Sequence, residues 1–149
     1  MAAKTIFQLQ FGDVAGVQRH RKALPRAGVQ QYVAFALQSP FEITVRIVSE
    51  AEGRALNLQF RGQDHATNVL TFDYAQSPRV VADLVLCAPV VEREALEQGK
   101  TLAAHYAHLL VHGALHAQGY DHETSDADAL EMESLEILLL LALGFDCPY

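Results

Sequence analysis

The chain has 149 residues, half of them hydrophobic, and sets 11 Lys and Arg against 18 Asp and Glu for a formal net charge of −7. That length suffices for one well-packed core and falls short of two, so residues 1–149 are expected to fold as a single domain. The longest uncharged apolar run, Ile137 to Phe145, is well short of the ~20 residues that cross a bilayer, and the opening Met1-Ala-Ala-Lys-Thr-Ile leads into no signal-type segment; a cytoplasmic protein without a membrane partner is expected.

Thr5-Ile-Phe-Gln-Leu-Gln-Phe11 alternates apolar and polar residues and reads as an opening strand. Pro25 suits a first helical position, and Val29, Tyr32, Val33, Ala36 and Leu37 recur at three and four, which predicts an amphipathic helix ending near Ser39-Pro40. Ile43, Val45 and Ile47 alternate with Thr44 and Arg46, marking Phe41 to Val48 as a second strand. Ser49 with Glu52 three residues later is a capping box, so a helix is expected from there to about Arg61, where Gly62 stops it. Asn68 to Tyr74 and Val80 to Cys87 read as two further strands around the turn-rich Ala75-Gln-Ser-Pro78. Pro89 opens a helix that Gly99 closes, Thr101 opens another, and Ser125 caps a last one that runs to Gly144. This order predicts an α+β fold: a mixed sheet of about four strands packed with about five helices.

The acidic balance counts against nucleic-acid binding, which draws on clustered Lys and Arg, and no DNA partner is expected. The distribution softens that objection. Residues 1–61 hold eight basic and four acidic side chains, whereas residues 101–149 hold eight acidic ones and no Lys or Arg. If folding sets Arg19, Arg21, Lys22, Arg26, Arg46, Arg54 and Arg61 beside the site described next, an anionic substrate could be attracted; the plainer reading is a solvated surface. Cys87 and Cys147 lack C-x-x-C spacing and read as buried thiols.

His112-Gly-Ala-Leu-His116-Ala-Gln-Gly-Tyr-Asp-His122 is the most informative stretch. His112 and His116 lie four apart, on one helix face. Gly119 ends that helix and can turn His122 back toward the same point. Three imidazoles suit zinc and leave one tetrahedral corner for solvent, the mark of a catalytic site. The spacing is that of the extended zinc-protease motif, with Gly113 standing where that motif carries its general-base glutamate. His105 lies about 10 Å along the axis from His112, too far to share its metal. His108 reads as a packed or supporting group, and Asp121 as one that orients a ligand imidazole or caps a turn.

With these residues in hand, the chain resembles the bacterial YbeY family of single-strand-specific endoribonucleases. The matching pieces are Leu56-Asn-Leu-Gln-Phe-Arg61-Gly-Gln-Asp64, Thr67-Asn-Val-Leu-Thr-Phe72, Asp83-Leu-Val-Leu-Cys87, His108 to His116 with Gly119-Tyr-Asp-His122, and Leu143-Gly-Phe with Pro148-Tyr149. Ala82 departs from the glycine expected before Asp83, while Gly113 fits the family pattern. The resemblance implies a zinc-dependent endoribonuclease cutting single-stranded RNA, active in 16S rRNA 3′-end maturation and ribosome quality control, with the ribosome or small-subunit proteins as partners. It implies one zinc per chain on His112, His116 and His122, and Arg61 as the arginine of the active-site cleft. A guanidinium fork there would stabilise charge on the non-bridging phosphate oxygens. The nucleophile is either water activated by the metal, leaving a linear phosphate end, or an RNA 2′-hydroxyl, leaving a cyclic one. Phe60, Phe72, Tyr74 and Tyr120 are candidate stacking platforms, each read first as a core residue. Two other classes stay open: a metal-dependent hydrolase such as a peptidase recruiting Glu123 or Glu133, and a ribosome-binding factor with a structural zinc, for which Cys147 is the thiol to check as a fourth ligand.

Overall fold

A computed structural model describes residues 5–37, 39–121 and 123–149. Four strands and six helices follow in the order β1 (Ile6–Phe11), α1 (Val17–Ala23), α2 (Arg26–Leu37), β2 (Phe41–Val48), α3 (Glu50–Arg61), β3 (Val69–Ala75), β4 (Val80–Cys87), α4 (Ala88–Gln98), α5 (Leu102–Ala117) and α6 (Asp126–Ala142). The sheet order is β1-β2-β4-β3, with β1, β2 and β4 parallel and β3 antiparallel to β4. This is the α+β fold with a mixed sheet that the patterning predicts.

The register sorts the strand residues onto two faces. Phe7, Ile43 and Ala82 lie side by side, as do Leu9, Val45 and Leu84, then Phe11, Ile47 and Leu86. This face builds the main core with Val29, Val33 and Leu37 of α2, most of α5, and Met132, Leu139 and Leu140 of α6. On the other face a smaller cluster of Val48, Leu70, Val85, Cys87 and Val90 packs with Leu56 of α3. Burial of this much aliphatic surface supplies the main drive to fold.

Expected caps are present: Ser49, Thr101 and Ser125 each accept a hydrogen bond from the backbone N–H three residues on. Only half of the capping box forms, because the Glu52 carboxylate accepts two hydrogen bonds from the Arg46 guanidinium, at 2.7 and 3.1 Å. A charge-assisted fork outweighs a bond to one neutral N–H. Cys147 is exposed, which corrects the reading of two buried thiols; Cys87 is buried.

Helix α1 is absent from the expected set, and its buried residue explains why. In Val-Gln-Arg-His-Arg-Lys-Ala the side chain that packs inward is His20, 1% exposed, so no aliphatic stripe announces the helix. His20 Nε2 lies 3.0 Å from Glu92 and Nδ1 2.6 Å from the Tyr106 hydroxyl. A carboxylate only accepts, so Nε2 carries the proton and Nδ1 accepts from Tyr106, and the neutral ring is fully satisfied. Burial pushes the His20 pKa below its ordinary value, against the opposing pull of Glu92.

The unfolded chain therefore takes up a proton at His20 at a higher pH than the native protein does, and stability is lost as pH falls below about 6.5. Urea unfolding of the wild type and His20→Gln between pH 7.5 and 5 checks this. The variant should show the shallower fall in midpoint, and equal slopes would refute the assignment.

Candidate active site

Helix α5 is buried on nearly every side, as a helix in the middle of a domain must be. From His105 to Ala117 the only residues not fully buried are His108, His112 and His116, spaced by four along one stripe. Gly113 explains how closely the opposite side of α5 approaches the sheet: a Cβ there would lie 3.2 Å from Leu84 Cδ2 and 3.5 Å from Thr71 Oγ1. A glutamate at this position would meet the sheet, not the histidines.

The stripe forms one wall of a cavity of about 850 Å³. Phe60 and Arg61 at the end of α3, Asn68 and the first half of β3, Asp121, Glu123 and Tyr149 line the rest. The rings of His112 and His116 stand 5.2 Å apart at 74°. His122, the third expected ligand, lies outside the described residues, and among the described residues no group of three or more His, Cys, Asp or Glu side chains could hold a metal. One oxygen of Asp121 accepts the Glu123 backbone N–H at 2.8 Å.

The residue that sequence reasoning missed is Glu136. It is 1% exposed on α6, and its carboxylate accepts from His112 Nδ1 at 2.9 Å, His108 Nε2 at 3.2 Å and the Tyr149 hydroxyl at 2.7 Å. Burial alone would raise its pKa, but these hydrogen bonds outweigh burial and bring it down to about 2. The charged carboxylate fixes the proton of His112 on Nδ1 and its lone pair on Nε2, the form in which imidazole ligates a metal. His108 donates through Nε2, and its Nδ1 is buried without a hydrogen bond, as suits a supporting group. His105 is likewise committed elsewhere, to Glu94 at 2.8 Å.

Arg61 lines the cavity, exposed at its rim and outside every ion pair among the described residues. The other described basic residues of the first 61 do not line it. Arg19, Arg46 and Arg54 are bound to Glu92, Glu52 and Asp64, Arg21 lies over the Phe11 ring, and Arg26 bonds the Phe7 carbonyl. Positive charge at the site is local, not a broad basic face. Glu123 lines the cavity but Glu133 does not, and Cys147 lines a separate hollow with Lys100. Of the four aromatic candidates, Phe60 and Phe72 line the cavity. Phe60 and Tyr74 are exposed, which corrects their reading as core residues, while Tyr120 packs against the core.

Residues 17–144 match the family model for endoribonuclease YbeY. A protein named endoribonuclease YbeY from a Polaromonas species is 68% identical over 95% of this chain and 92% of its own; another of that name from Albidiferax ferrireducens is 59% identical over the full length of both. The solution structure of TM1509 from Thermotoga maritima superposes with a TM-score of 0.64 at 29% identity, covering 91% of this chain and 88% of that one. The class is therefore that of a nuclease, a hydrolase of phosphodiester bonds. The chain belongs to the endoribonuclease YbeY family. Among the described residues no helix is long and apolar enough to cross a membrane.

Replacing Glu136 by Gln sets an amide N–H₂ against groups that are themselves donors. Thermal denaturation should register a loss of about 1–3 kcal/mol, a fall of several degrees in midpoint. Tyr149→Phe should cost less, because Tyr149 is 63% exposed; an unmoved midpoint in Glu136→Gln would contradict the role given to this carboxylate.

Proposed function

We propose that the chain is a zinc-dependent endoribonuclease of single-stranded RNA, with one zinc on His112, His116 and His122 and with Arg61 meeting the scissile phosphate. Its place would be the cytoplasm, in 16S rRNA 3′-end maturation and ribosome quality control, alongside small-subunit proteins. The observation that carries the metal assignment is the hydrogen bond from His112 Nδ1 to Glu136. A buried carboxylate behind an imidazole is the usual support of a metal-bound histidine. When bound, the metal would supply Lewis acidity toward water and a phosphoryl oxygen.

The remaining work belongs to the chain. Cleavage builds negative charge on the non-bridging oxygens, and the planar fork of Arg61 at the cavity rim suits it. Glu136 is a positioning residue, not the base: with its pKa brought to about 2 and both oxygens occupied, it holds a proton poorly at neutral pH. A peptidase reading would need a base from elsewhere than residue 113, where a Cβ would lie 3.2 Å from Leu84 Cδ2; of the two carboxylates considered for it, Glu133 does not line the cavity and Glu123 does. A structural zinc completed by Cys147 is disfavoured because that thiol lines a different hollow.

Arg61→Ala is expected to retain zinc near the wild-type level, measured on purified protein by mass spectrometry, while cleavage of single-stranded RNA falls about 10²- to 10³-fold. Unchanged cleavage would remove Arg61 from the mechanism. Chelation and His116→Ala should each abolish RNA cleavage; activity of the metal-loaded protein on casein alone would favour a peptidase, and unfolding on chelation with no activity on any substrate would favour a structural metal.

A further inference from the structure

Phe60 lines the cavity, and the chemistry above gives it no task. Its ring is 58% exposed and lines the cavity beside Arg61, His112 and His116. Single exposed apolar side chains are common on protein surfaces. This one differs in lining the cavity that also holds Arg61, His112 and His116, and in having its orientation set. Phe72 on β3 meets it edge to face, with centroids 5.1 Å apart and planes at 70°, a preferred geometry for two aromatic rings. Less side-chain freedom is then lost when a ligand lies on it. Phe60 and Arg61 are the last two residues of α3, and Gly62, in the left-handed region at φ 71°, turns the chain away immediately after. Ring and guanidinium are thus presented to the same cavity.

We propose that Phe60 is a nucleobase-stacking platform, on which an unpaired base of the RNA lies while a neighbouring phosphate meets Arg61. The assignment rests on the nuclease reading and adds a physical source of selectivity for single strands. A base within a duplex is covered on both faces by its neighbours and must leave the stack to reach Phe60. An unpaired base offers its face at much lower cost. Every base has a π face, so the platform selects strand state and not base identity.

The chain contains no Trp, so Phe60→Trp places a single indole at the platform. Its emission should be quenched saturably by a short single-stranded oligoribonucleotide, and little by a duplex of the same sequence or by an abasic oligomer of equal charge. Phe60→Ala, at an exposed position, should raise KM for single-stranded RNA about 5- to 150-fold, move kcat far less, and narrow the preference for single over double strands, with Phe60→Tyr restoring KM. Binding of labelled RNA to Phe60→Trp, followed by anisotropy, without any change in indole emission would overturn the platform and leave the nuclease reading standing. Failure of the zinc-loaded wild type to bind or cut single-stranded RNA would overturn both.

Discussion

Glu136 places a carboxylate where water does not reach, and an uncompensated charge in such a place costs several kcal/mol. Three donors offset that cost, two from α5 and one from the segment after α6. Because the donors come from separate parts of the chain, the hydrogen bonds also fix how α6 is set against α5 and keep Tyr149 beside the cavity. The same contacts decide the protonation of His112. Stability and site geometry therefore depend on one group: the carboxylate remains charged because the imidazoles donate to it, and the imidazoles hold their orientation because it remains charged.

The position of the cavity follows from the packing of α5. A helix covered by α2, α4, α6 and the sheet has one stripe left over, and here that stripe consists of His108, His112 and His116. Gly113 lets the opposite side approach β3 and β4 closely. A side chain at residue 113 would require Leu84 to give way, so the position where a zinc-protease motif carries its glutamate is here used for packing.

Most of the fold was legible because its elements carry strong local signals. The alternation in Phe41 to Val48, the Ser and Thr caps and the stop at Gly62 each report a backbone requirement that few residues satisfy. Helix α1 was illegible because its inward residue is a histidine, which pattern reading counts as polar. In the site, the four-residue spacing placed His112 and His116 on one face, and both line one cavity with Arg61. Glu136 escaped because it lies within the leucine-rich stretch of α6 that reads as core. The signal was nevertheless present: Met132, Glu136, Leu139 and Leu140 form one helical face, and a carboxylate at the centre of an apolar stripe requires buried donors. Pairing across distant segments, by contrast, had no local trace. Nothing in the spacing of Arg19, Arg46 or Arg54 shows that Glu92, Glu52 and Asp64 would bind them.

That internal pairing changes how an acidic protein can engage an anionic polymer. With a net charge of −7, the long-range field repels RNA, although at physiological ionic strength it fades over about 8 Å. Steering by a broad basic face is unavailable when three of its candidate arginines are bound to carboxylates. On the proposed reading, recognition comes from short-range contacts made once the strand is in the cavity: one guanidinium, the imidazole stripe and an aromatic ring. Such contacts require a phosphate and a base face at the same time. A single strand can bend to supply both, whereas a duplex presents its phosphates outward and keeps its base faces stacked. Weak attraction from afar and demanding contacts nearby therefore act in the same direction, toward selectivity instead of tight non-specific binding.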